Sequence, residues 1–380
     1  MNIISRSKCA VTGSSDLECL DQLKNMPVYM GCVESPRSKD VVANMNWLIE
    51  RQSGLIQLEG LIPLDVLYPF SHGSGGVGAL WEMHHQAFAK FLLKHSSPSK
   101  VFEIGGAHGI LSKEFFKLGA KIPWVILEPN PNPVVGCEAR FIKGFFDSNF
   151  SESVDFDTVV HSHVFEHVYE PNEFMEQLSK FMSVGKKLIF SLPNLKVMLA
   201  KKYTNCINFE HTVFLTEPYI EFLLAKHGFR VTIKEYYMDD HSIFYSAVRD
   251  LNIKPFSLPN GLYEENKNLY KEYNEYHNML IKDLNEKIKK IPGEIYLFGG
   301  HIFSQYLILK GLKTSRIKNI LDNDAKKHGK RLYGTSLNVV SPKILAKSKT
   351  PTVILKAGIY NNEIKRDITN TINSNVIFLE

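Results

Sequence analysis

Apolar and polar positions change places in short, sharply bounded blocks between residues 101 and 128. Val101, Phe102 and Ile104 form a strand-length apolar run that carries one acid, Glu103, and ends in Gly105-Gly106-Ala107-His108-Gly109. Ile110, Leu111, Phe115, Phe116 and Leu118 then fall on one side of a helix, and a second apolar run, Trp124 to Leu127, closes on Glu128. Strand, tight glycine turn, helix and strand make the opening unit of a doubly wound α/β sheet. Leu80 to Leu93 reads as a helix ahead of that unit. Downstream, Arg140 to Ile142 starts a third strand, Phe156 to Val160 reads as a fourth that is buried on both faces, and Leu188 begins the next.

Two further blocks extend the picture. Leu269, Tyr273, Tyr276, Leu280, Ile281, Leu284 and Ile288 recur near helical spacing, which predicts a long amphipathic linker helix over 262–291. A strand over 294–298, Gly299-Gly300, a helix over 303–310, a strand over 317–321 ending in Asp322, and a strand over 351–355 then predict a second, Rossmann-like unit. It lacks the full dinucleotide glycine signature, so intact NAD binding is not expected there. The expected division is a small irregular module over 1–60, a loop and lead-in helix over 61–98, the central α/β domain over 99–250, the linker over 251–292 and the C-terminal unit over 293–380. Within the second segment, Ser71 to Gly78 is glycine- and serine-rich and reads either as a lid or as a plain connector. Trp81, His84 and His85 lie at helix spacing, which a half-buried helix face and a pocket explain equally well.

Composition narrows the function classes. The 380 residues are 44% hydrophobic and 22% charged, values of a globular protein. No run approaches the ~20 apolar residues of a membrane span, and MNIISRSK lacks a signal-peptide core, so the cytoplasm is the expected compartment. The formal charge of +5 is spread along the chain, which does not indicate a nucleic-acid surface. Five cysteines without a C-x-x-C pair are expected to be free thiols. Nothing in the sequence marks an oligomeric state.

Candidate chemistry gathers at strand ends, where open α/β sheets bind ligands. The spacing E-x-G-G-x-x-G departs from G-x-G-x-x-G and resembles motif I of class I S-adenosylmethionine (SAM) methyltransferases; an NAD-type or phosphate-binding turn is the alternative. Glu103, Gly105, Gly106 and Gly109 would then seat the cofactor, and Glu128 is placed to accept from its ribose diol. After the third strand, Phe146 would pack on the base and Asp147 bond its amine. The fourth strand runs into His161-Ser162-His163-Val164-Phe165-Glu166-His167. Of these, His163 is taken as a cofactor contact and His167 as a substrate-site residue, with a core histidine as the alternative. The H-x-H and E-H spacings suggest a metal only if other segments supply ligands, so none is expected. Glu210 and His211 sit in a predicted loop before a helix capped by Thr216, where a histidine can act as a base.

Together these pieces resemble the bacterial sugar C-methyltransferases that act on nucleotide-linked deoxysugars, over nearly the whole chain. The resemblance is carried by Cys9 to Gly13 and Glu50 to Leu58, which look like two halves of a zinc knuckle that keeps only Cys9. It is carried further by LYPFSHGSGGVGALWEMHHQAFAKF, Glu103 to Gly109, Glu128, Glu166-His167, Asn208 to His211, and Asp322, Lys327, Gly329 and Gly334-Thr335. It implies a class I SAM-methyltransferase doubly wound sheet, with a metal-free knuckle-like N-terminal module and a C-terminal Rossmann-like α/β domain. It also implies SAM as cofactor, a nucleotide-sugar or glycan precursor as substrate, His211 and Glu210 as catalytic groups with His167 beside them, and Tyr68, Lys202 and Asn208 as substrate contacts. Asn208 and Phe209 stand where the family has tyrosine and histidine, and Phe303 stands where it has lysine. The carbon, oxygen or nitrogen nature of the acceptor therefore stays open, and a non-catalytic SAM-fold binding protein and an NAD-linked dehydrogenase are the rival readings.

Overall fold

The computed structural model describes residues 1–68, 78–119 and 121–380. The segment read as lid or connector lies outside the described residues, apart from Gly78. The N-terminal module is more regular than its sequence reading. Strands β1 (Leu17–Pro27), β2 (Val42–Glu50) and β3 (Ile56–Leu58) form an antiparallel sheet. The period-2 signal was present: Ala43, Met45, Trp47 and Ile49 face inward, and Val42 and Asn44 face outward. At the knuckle-like positions Cys9 Sγ stands 4.0 Å from Ser53 Oγ, while the Glu50 carboxylate accepts the Gln52 and Ser53 amides at 3.1 and 2.6 Å. Hydrogen bonding to a carboxylate, as well as apolar packing, closes this turn.

The central unit runs α1 (Ala79–Ser96), β4 (Val101–Ile104), α2 (Ile110–Phe116), β5 (Trp124–Glu128), β6 (Arg140–Lys143), β7 (Thr158–Ser162), α3 (Pro171–Phe181), β8 (Lys187–Pro193), α4 (Leu195–Ala200), α5 (Glu217–Lys226), β9 (Phe229–Tyr237) and β10 (Ser242–Arg249). Its seven strands lie in the order β9-β10-β8-β7-β4-β5-β6. The five from β4 to β8 are parallel, and the β9–β10 hairpin adds antiparallel to β8. Strand order reverses between β4 and β7, and such a switch point opens a crevice at the carboxyl ends of the strands. Strand β7 lies two residues later than the sequence suggested. His161 is therefore inside the sheet: it is buried, stacks on Phe190 at 4.9 Å, and burial pushes its imidazole down to about 3. It belongs to the core and not to the strand-end cluster.

Helix α6 (Leu262–Lys290) follows, its 29 residues spanning about 43 Å. Strand β11 (Ile295–Phe298), α7 (Ile302–Leu309), β12 (Ile317–Leu321), β13 (Val339–Val340), β14 (Thr352–Ile354), α8 (Asn361–Asp367) and β15 (Ile377–Leu379) build a parallel sheet ordered β13-β12-β11-β14-β15. One apolar cluster joins all three units, with Trp47 edge-on to Phe214 at 5.0 Å and tilted against Tyr270 at 6.5 Å. The Arg331 guanidinium grips the Asp40 carboxylate at 2.5 and 2.7 Å, tying the N-terminal module to the C-terminal unit. Among the described residues no helix is long and apolar enough to cross a membrane.

Candidate active site

The glycine turn between β4 and α2 is shaped by close approaches that a side chain would forbid. A Cβ on Gly106 would lie 2.7 Å from both Glu103 Cδ and Ile126 Cγ2; one on Gly105 would lie 2.6 Å from Val164, and one on Gly109 2.3 Å from Cys137 Sγ. Gly105 and Gly109 also take positive φ. Beneath the turn the buried Glu103 accepts from Trp124 Nε1 at 2.7 Å, and burial pushes it up to about 7. Glu128 stands half-buried at the end of β5. Its two oxygens accept the Ala107 and Asn130 amides at 3.0 Å each, which leaves lone pairs for a diol at the crevice rim. A carboxylate at that rim beside a close-packed glycine turn fits the adenosyl half of SAM.

The second half of the site forms where the loop after β7 meets the loop over 208–212. His167 Nδ1 lies 3.4 Å from the Tyr68 hydroxyl and 3.7 Å from Glu210 Oε2, and its Nε2 lies 3.8 Å from Glu166 Oε1. The His211 ring stands 5.3 Å away, centroid to centroid. A carbonyl only accepts, so the 3.4 Å contact of His211 Nδ1 with Cys206 O fixes the proton on Nδ1 and leaves a lone pair on Nε2. Burial holds His211 down at about 4, and it pushes Glu210 up to about 8 and Glu166 up to about 7. The cluster is a neutral base beside two carboxyls poised near neutrality.

The N-terminal module holds these loops in place. Gln57 bridges to Val213, and the Leu58 amide donates to Thr212 O at 2.9 Å. The buried Arg6 guanidinium spans the Thr212 and Tyr169 carbonyls, joining both loops. Tyr68 connects the two halves: its hydroxyl faces His167, and its carbonyl accepts from Asn130 Nδ2 at 3.2 Å beside Glu128.

Several expected contacts lie elsewhere. Asn208 is buried and scaffolds its own loop, its Oδ1 accepting the Glu210 and His211 amides at 2.8 Å each and its Nδ2 donating to Asn205 O. Lys202 turns to Glu272 on α6 at 3.5 Å, away from the Glu210–His211 loop. The Phe146 ring packs among Phe102, Phe150, Phe174 and Phe181 at centroid distances of 5.4 to 6.3 Å, so the apolar core already takes the face meant for a base. Asp147 is exposed and accepts the Asn149 amide at 2.8 Å. His163 faces α1 and the β9–β10 turn, with Nε2 2.9 Å from Ser242 Oγ and the ring edge-on to Trp81 at 4.9 Å. Glu166 joins the cluster through burial between His163 and His167. His84 and His241, from distant segments, join His163 in a second cluster whose sequence signal was limited to the spacing around Trp81.

A seven-stranded sheet ordered in this way, with its last strand antiparallel, and a carboxylate-rimmed glycine turn define the class I methyltransferase architecture. In agreement, residues 82–233 match the family model described as a methyltransferase domain, which places that domain over the central unit. No curated protein matches the chain. Among solved structures it is similar to magnesium protoporphyrin IX methyltransferase from Synechocystis PCC 6803 with bound SAH, at 17% identity and TM-score 0.37, over 47% of this chain and 90% of that one. It is also similar to 1,6-didemethyltoxoflavin-N1-methyltransferase from Burkholderia thailandensis, at 14% identity and TM-score 0.36, over 45% and 81%. A third is the N-methyltransferase NodS from Bradyrhizobium japonicum, at 14% identity and TM-score 0.33, over 44% and 95%.

Proposed function

We propose that this protein transfers a methyl group from SAM to a nucleotide-linked or surface-glycan sugar, with His211 as general base. The observation that carries the reading is the lone pair of His211 Nε2, set beside His167, Glu166 and Glu210 and joined through Tyr68 to the rim that holds Glu128. Bound SAM supplies an electrophilic methyl group. Glu128 would hold its ribose, and the close-packed glycine turn would leave room to seat it. His211 Nε2 would take the acceptor's proton as the acceptor atom attacks, and His167, with Tyr68 and Glu210 in reach, would hold the sugar hydroxyls. The surrounding burial keeps water from competing with the acceptor.

Asn208 keeps its amide inside the loop, so this position offers no phenol to steady a developing enolate. That favours, as a second reading, transfer to a hydroxyl or amino group, which needs only deprotonation or a lone pair. A radiolabelled methyl-transfer screen against nucleotide sugars and glycan precursors, with the position of the label solved by NMR, separates the two. His211→Ala is expected to bind S-adenosylhomocysteine as the wild type does in calorimetry, with turnover lower by roughly 10²–10⁴-fold. Wild-type turnover in that variant removes His211 from the mechanism. Failure of the wild type to bind S-adenosylhomocysteine overturns the reading as a whole.

A further inference from the structure

We propose that His84, His163 and His241 together bind one divalent transition-metal ion of the zinc class, beside the methyl-transfer site and bordering it at Glu166. The three residues come from helix α1, the loop after β7 and the β9–β10 turn, and each offers a ring nitrogen within 4.8 Å of the others. Convergence from three segments is what the H-x-H spacing around His163 lacked. Zinc–imidazole bonds of about 2.0–2.1 Å put tetrahedral ligand atoms about 3.4 Å apart, within reach of small ring rotations.

His84 carries the argument. It is fully buried, and among the described residues neither ring nitrogen has a hydrogen-bond partner. Orphaning a buried polar group is destabilising, whereas a phenylalanine would fill the same apolar surroundings without that cost. Phe88, Phe244 and Tyr237 already surround the ring, so apolar packing alone gives no reason for an imidazole. Imidazole ligands select zinc, copper and nickel over calcium or magnesium. An outer shell is present as well: Glu166 Oε1 lies 3.2 Å from His163 Nδ1 and 3.8 Å from His167 Nε2, and among the described residues neither Glu166 oxygen makes a hydrogen bond. A carboxylate behind a ligating histidine fixes its tautomer and raises its basicity. Trp81 stands edge-on to all three rings at 4.9 to 5.2 Å and screens them with an apolar wall.

A bound ion would pin α1, which follows the undescribed segment, against the end of the sheet. It would also orient Glu166 toward His167, so the metal and methyl-transfer sites share one carboxylate. Glu166, His167 and His211 form a rival set of ligand atoms, and the experiment distinguishes the two. Chelator-treated full-length protein is titrated with Co²⁺, followed by visible absorption and elemental analysis, and its melting temperature is read with and without Zn²⁺. The expected result is one ion per chain, a tetrahedral Co²⁺ spectrum and a higher melting temperature with Zn²⁺. All three are lost in His84→Phe and in His241→Asn and kept in His211→Ala. S-adenosylhomocysteine binding and circular dichroism verify that each variant is folded. His84→Phe is further expected to melt above the metal-free wild type, since it removes the orphaned ring. No stoichiometric ion in the wild type, loss of the ion in His211→Ala, or its persistence in both histidine variants overturns the assignment. Because the readout is metal content and spectrum, failure here is distinguishable from failure of the methyl-transfer reading.

Discussion

Asn208 spends its side-chain oxygen on two amides, those of Glu210 and His211, and so fixes the backbone from which the proposed base projects. Asn208→Ala leaves both donors without a partner at a buried position. The expected cost is about 1–3 kcal/mol in urea unfolding, together with slower turnover at unchanged S-adenosylhomocysteine affinity. Unchanged stability would show that the loop is held by Arg6 and β3 alone. A related device recurs at the glycine turns: Ala107 N–H donates to Glu128 and Gly300 N–H to Asp322, so an acid closing the second strand holds the turn of the first in both α/β units. In the C-terminal unit Lys327 also bonds Asp322 at 3.0 Å, and the carboxylate is answered from within the chain. Acids and histidines at strand ends were legible in the sequence because position along a strand follows from local pattern. Their partners were not. His84 meets His241 across more than 150 residues of chain, and the inward turn of Asn208 depends on a loop geometry with no periodic signature.

At the scale of elements, α6 is the one most fully written in the sequence, since a long apolar stripe at helical spacing admits few other structures. Its buried face is Leu262, Asn266, Tyr270, Tyr273, His277, Leu280, Ile281, Leu284 and Ile288, so polar residues complete a stripe that apolar ones only outlined. Strand β2 and the β9–β10 hairpin were less legible. Their alternation is interrupted by residues buried on both sides, such as Leu48, and the turn at Asp239-Asp240 lacks glycine. The docking of α6 hangs on Gly54. A Cβ there would lie 2.4 Å from the backbone of Leu262, and its φ of +70° already disfavours any side chain. Asn266 Nδ2 donates to Gly54 O at 2.9 Å and to the Tyr219 hydroxyl at 2.8 Å, completing the joint. Gly54→Ala is therefore expected to lift the start of α6 and to cost about 2–4 kcal/mol, as left-handed strain plus overpacking. A thermal melt within a degree of the wild type would mean that the helix is held from its other end.

For the whole molecule, buried titratable groups set how stability varies with pH. Glu103, Glu166 and Glu210 rise from an ordinary 4.5 to about 7, about 7 and about 8, all through burial. The folded chain keeps these protons where the unfolded chain has lost them, so stability from this source falls as pH climbs toward 8. His161, His163 and His241 move the other way, from 6.5 down to about 3, and His211 and His277 down to about 4, again through burial. There the unfolded chain binds the extra protons, and stability falls as pH drops below 6.5. Between the carboxylates' ordinary value and about 7 the two trends oppose each other, with the more numerous histidines dominant; above about 7 the carboxylates dominate. Chelator-treated protein should therefore be most stable near neutral pH. From pH 6.5 to 8.5 it should lose on the order of 1 kcal/mol net, the carboxyl loss coming mostly from Glu210 because its shift is the largest. Urea unfolding at pH 5, 6.5 and 8.5 measures this directly, and Glu210→Gln should flatten most of the alkaline decline while leaving the acid limb in place. A wild-type curve that is level or rising over that alkaline interval would mean that Glu103 and Glu210 are ionised in the folded chain, with partners strong enough to offset their burial. Neutral acids near the base would then have no part in the chemistry proposed for this site.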